Sequence, residues 1–175
     1  MSKSAPSSAA LPIAHVVLRI LMVLNWVMVP VIVLLLFVIP SREWIMSALK
    51  LSPSLEADRV VFGLRAIAGL GLVAVLLNYG VLKHLLAIVR TVREGDPFVA
   101  MNALRLRTIA WILLAMQLLS IVIGTIGKSI STPEHPVRLD AGFSTNGWLA
   151  VILTFVLAGV FAAGTRMRDD LEGTV

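Results

Sequence analysis

Four stretches of the chain, each 17 to 20 residues long, contain no charged side chain: 20–39, 66–82, 108–127 and 147–165. As a helix, at about 1.5 Å per residue, each is long enough to cross a hydrocarbon layer about 30 Å thick. A helix also satisfies its backbone polar groups internally, which lipid demands of any spanning segment. The runs are too continuous for the in–out alternation of a membrane β-barrel. Composition agrees: 58% of the 175 residues are hydrophobic, 14% are charged, and the mean hydropathy is +0.94. A soluble domain of this size has too small a core to hide that much apolar surface. The expected fold is all-α, an integral membrane four-helix bundle with spans at about 20–39, 62–82, 108–127 and 147–165. These make a membrane domain over 16–165, with a disordered cytoplasmic N-terminus (1–15) before it and a cytoplasmic tail (166–175) after it.

Charge sets the orientation. The formal charge of +5 and pI of about 10.5 read as topology rather than as nucleic-acid binding, because basic residues are retained on the cytoplasmic side of a membrane protein. Nine of the fifteen Lys and Arg residues lie in the N-terminus, in 83–107 and in the tail; five lie in the other two loops. Both termini and the middle loop are therefore expected in the cytoplasm. The first apolar run is too long for a signal-peptide core, and no small-residue cleavage site follows it, so it reads as a retained span. With no cysteine in the chain, disulfides, thiolate metal sites and a cysteine nucleophile are excluded.

Between the spans, Trp44, Ile45, Ala48 and Leu49 share one helical face, which predicts an interfacial helix over 41–51 on the outer leaflet. Ser54 suits a helix start, and no breaker follows before Gly95. One helix over 55–94, on the order of 60 Å long, would overshoot the membrane on the cytoplasmic side. The loop 128–146, with Pro133 and Pro136, reads as irregular.

The end of that overshooting helix is the most informative segment. Gly95 suits the left-handed position just past a helix end. Asp96 and Pro97 suit the cap and first position of the next helix. The expectation is a tight helical corner that climbs from Phe98 past Asn102, Arg105 and Arg107 into the third span. The run Gly95-Asp96-Pro97-Phe98-Val99, with Asn102 and Arg105-Leu106-Arg107, resembles bacterial membrane proteins that carry the domain of unknown function 2975. So does the C-terminal segment from Gly164 to Val175. The resemblance implies four spans, a cytoplasmic middle loop and residence in the bacterial cytoplasmic (inner) membrane. It also implies a regulatory role beside a short helix-turn-helix regulator encoded next to it. It brings no catalytic residue.

The candidate partner-binding residues are Gly95, Asp96, Pro97, Phe98, Asn102, Arg105 and Arg107 on the corner, with Asp169, Asp170 and Glu172 on the tail. The corner is basic and the tail acidic, so the tail either docks on the corner or attracts a basic partner. Ala150, Thr154, Ala158 and Ala162 recur every four residues and allow close helix approach, within one chain or in a homo-oligomer. Asn25, Asn78, Tyr79 and Gln117 are polar groups within spans, suited to interhelical hydrogen bonds. The three histidines are far apart, and no catalytic or phosphate-binding motif is present. No cofactor, no metal and no direct nucleic-acid contact are expected. Beside a non-enzymatic membrane regulator or sensor stands one alternative, a small transporter or channel component acting as an oligomer, for which the spans offer few polar groups.

Overall fold

The computed structural model describes residues 10–38, 55–131 and 140–172. The predicted interfacial helix over 41–51 lies outside them, as do Pro133, His135 and Pro136. Four helices make up the described chain: α1 (Ala10–Val38), α2 (Leu55–Arg93), α3 (Ala100–Ile130) and α4 (Thr145–Glu172). All four are long and apolar enough to cross a membrane. Their outer surfaces suit lipid. On α1 the side chains of Ile20, Leu24, Val27 and Val31, one face of the helix, are all exposed, and the bilayer is the solvent that accepts such a face.

Each helix runs beyond its uncharged stretch, because polar residues at the ends continue the same backbone hydrogen bonding. Thus α1 starts ten residues before Ile20, and α2 is a single helix of 39 residues, about 58 Å long. The segment after Thr165, expected as a tail, is the last two turns of α4.

Packing follows chain order. α1 contacts α2, α2 contacts α3 and α3 contacts α4, while α1 and α4 do not touch. A closed bundle would bring the first and last helices together, so this one is open between its two edges. The α1–α2 seam is pinned midway by polar groups. Asn78 donates from Nδ2 to Oδ1 of Asn25 at 2.9 Å, and Asn25 donates to the carbonyl of Val75 at 3.1 Å. Trp26 meets Tyr79 edge to face, ring centroids 5.4 Å apart. Interhelical bonds of this kind are worth about 0.6–2 kcal/mol in a membrane.

At the end remote from the corner, the chain before α4 folds back on α3. Ser120 Oγ accepts from the Gly142 amide at 3.0 Å, and a Cβ on Gly124 would sit 2.7 Å from the carbonyl oxygen of Ala141. Gly124 is glycine because backbone passes over it. Of the small residues on α4, Ala158 is buried, whereas Ala150 is exposed. The former serves the contact within the chain.

Candidate functional site

α2 ends in a glycine-terminated motif. Gly95 has φ +87°, a left-handed conformation that glycine adopts without Cβ strain. Its amide donates to the carbonyl of Val92 at 3.2 Å, and the Asp96 amide reaches back to Thr91 at 3.0 Å. These are the two bonds of a Schellman motif, and they satisfy carbonyls that the helix end would leave open.

The chain then runs non-helically through 96–99 before α3 begins. Here the sequence expectation needs correction. The N-cap of α3 is Val99, in an extended conformation and with no side-chain cap bond. Asp96 does not cap that helix and Pro97 is not its first residue. A residue followed by proline is pushed away from the helical region, and Asp96 lies outside both helices, with its carboxylate turned elsewhere. It pairs with Arg168 on α4.

Asn102 performs the local fastening instead. It is completely buried, and all three of its side-chain bonds stay within the corner. Nδ2 donates to Thr91 Oγ1 at 2.7 Å and to the Pro97 carbonyl at 2.9 Å, and Oδ1 accepts from Arg105 at 2.9 Å. Thr91 in turn donates to the Ile88 carbonyl at 2.8 Å, and Arg105 reaches the Ala87 carbonyl at 3.4 Å. One amide thereby joins the end of α2, the link and the start of α3. A buried polar group with every partner present makes the arrangement specific, since breaking any member strands another.

Phe98 carries the corner onto α4. Its ring centroid is 5.4 Å from that of Phe161, and a Cβ on Gly164 would come within 3.0 Å of the ring. The Thr165 hydroxyl lies 3.3 Å from the Phe98 carbonyl and 3.0 Å from that of Phe161. The link and the end of α4 therefore converge, through Phe98 on Gly164 and Asp96 on Arg168.

Of the predicted site residues, Gly95, Asp96, Pro97, Phe98, Asn102 and Arg105 form one constellation. Arg107 does not join it; exposed on α3, it borders a shallow groove against Phe155 and Ala158 of α4. Asp169 and Asp170 stand exposed on the last turns of α4, and Glu172 is its final residue. The ion pair described between corner and α4 runs from Asp96 to Arg168. Sequence reasoning missed Thr91, Phe161 and Thr165, which act only through partners distant in the chain. Among the described residues no cluster of His, Asp and Glu suits a metal ion. A protein family described as "Protein of unknown function (DUF2975)" matches residues 5–175, nearly the whole chain. No curated protein and no solved structure matches it.

Proposed function

The chain belongs to the DUF2975 family, and from that premise we propose that it is a non-enzymatic regulator of the bacterial inner membrane that holds a cytoplasmic protein partner. The partner class is a short helix-turn-helix transcription regulator. The observation that carries this reading is the clamp at one end of the molecule. α2 overshoots its apolar run, Asn102 fixes the turn, and Phe98 and Asp96 tie the turn to α4. A rigid polar platform outside the spans suits recognition of another protein, because a preorganised surface loses little entropy on binding. The polar groups Asn25 and Asn78, by contrast, are committed to each other within the spans.

The exposed acids at the end of α4 suit a DNA-binding partner, whose surface carries a basic patch. The test is recovery of partners with tagged protein from native membranes. Asp169→Asn, Asp170→Asn and Glu172→Gln together should cut recovery of a helix-turn-helix protein while membrane insertion is kept. The loss should be larger at low salt, where charges act over a longer distance. Recovery of the same proteins by the neutralised variant would refute this reading.

A further inference from the structure

Beside the corner lies a second basic feature that the clamp does not use. Between the first turns of α1 and the last turns of α2 is an open cleft of about 410 Å³, lined by His15, Arg19, Arg90, Arg93 and Glu94. Antiparallel packing creates it. Asn25 is level with Asn78, so residues nearer the start of α1 meet the end of α2. Among the described residues the guanidinium groups of Arg19, Arg90 and Arg93 have no ion-pair or hydrogen-bond partner. Nδ1 of His15 is buried and likewise unpartnered. Three guanidinium groups thus face one carboxylate. The C-terminal end of α2 opposes an anion by about half an elementary charge, but its last carbonyls are already taken by the amides of Glu94, Gly95 and Asp96. The arginines outweigh it.

The level of the cleft identifies its occupant. Cα–Cβ bonds tilt towards the N-terminus of a helix. On α2 this aims Arg90 and Arg93 back towards the apolar run, and on α1 it aims His15 and Arg19 away from it. The side-chain tips therefore converge just outside the hydrocarbon layer, where phospholipid phosphates lie. Directly towards the membrane from the cleft, the same face of α1 carries exposed Val23, Trp26 and Pro30, which with Tyr79 of α2 line an open apolar groove. A soluble phosphate has no use for that face, whereas acyl chains cover it. We propose that this cleft seats the headgroup phosphate of an anionic phospholipid, with Arg19, Arg90 and Arg93 as its ligands and the lipid tails along α1. Basic pockets between spans are suited to this chemistry. The site needs no protein partner and stands apart from the regulatory reading.

The experiment uses the full chain in nanodiscs of phosphatidylcholine, with and without phosphatidylglycerol. Tryptophan fluorescence follows melting, and native mass spectrometry counts retained lipid. Phosphatidylglycerol should raise the melting temperature of the wild type. Combining Arg19→Gln, Arg90→Gln and Arg93→Gln should remove that rise, and lipid affinity should fall roughly fivefold per arginine. Melting in phosphatidylcholine alone should stay unchanged, which shows that the variant is folded. Arg107→Gln, at the same end but outside the cleft, should keep the rise. An equal rise in the triple variant, or equal loss in Arg107→Gln, would overturn the proposal. So would inorganic phosphate in phosphatidylcholine discs reproducing the full effect, since a soluble anion would then be the ligand.

Discussion

Replacing Asn102 by alanine removes three side-chain hydrogen bonds at once, those to Thr91, Pro97 and Arg105. The two neutral bonds contribute about 1 kcal/mol each. The bond from Arg105 is charge-assisted, but that side chain is only partly buried and regains water, so it adds about 1 kcal/mol more. The Pro97 carbonyl and Thr91 hydroxyl are half-buried, so water replaces the lost amide only in part. The total is about 2–4 kcal/mol, directed at opening of the corner rather than at the spans. Hydrogen exchange in nanodiscs reads it directly. The amides of Gly95, Asp96 and Asn102 are each bonded within the corner and should exchange roughly thirty- to several-hundredfold faster. Amides at the centre of α3 should not change. Thr91→Val alone should give about 1 kcal/mol, and much less once Asn102 is already alanine, because the two share one bond. Unchanged protection at the corner amides in Asn102→Ala would refute the assignment of Asn102 as the latch.

Gly95→Val forces a β-branched residue to φ +87° and should cost about 1–3 kcal/mol, seen as a lower melting temperature. Asp96→Asn should cost no more than about 1 kcal/mol, since the side chains of Arg168 and Asp96 are 45% and 41% exposed; its effect on melting should vanish at high salt. Gly124→Ala drives a methyl into the Ala141 carbonyl and should destabilise by about 1–3 kcal/mol, with faster exchange at the Gly142 amide.

The spans and the 39-residue helix were legible because charge-free runs and the absence of breakers are local properties of the chain. Gly95 was legible for the same reason, as the point where helix and glycine meet. Asp96 misled. Gly-Asp-Pro reads locally as a stop followed by a cap, yet its carboxylate is settled by Arg168, 72 residues away. Asn102 reads as a site residue, but nothing local distinguishes a recognition side chain from a buried latch. That distinction lies in the simultaneous approach of Thr91, Pro97 and Arg105. Phe98 and Gly164 lie in separate segments, and only the packing of the corner on α4 reveals that one is the seat of the other. The open edge between α1 and α4 has no sequence signal, since lipid-facing and helix-facing apolar side chains look alike.

Everything functional depends on the corner and the end of α4 facing the cytoplasm together, and a chain without native cysteine allows a clean measurement. Ala100→Cys, Asp169→Cys and Ser144→Cys each place one thiol at an exposed position, the first two at the platform and the third at the opposite end. An impermeant thiol reagent on intact cells should label Ser144→Cys and should reach the other two only after permeabilisation. The reversed pattern would contradict the cytoplasmic platform, and labelling of Ala100→Cys and Asp169→Cys from opposite sides would contradict the packing of the corner against α4.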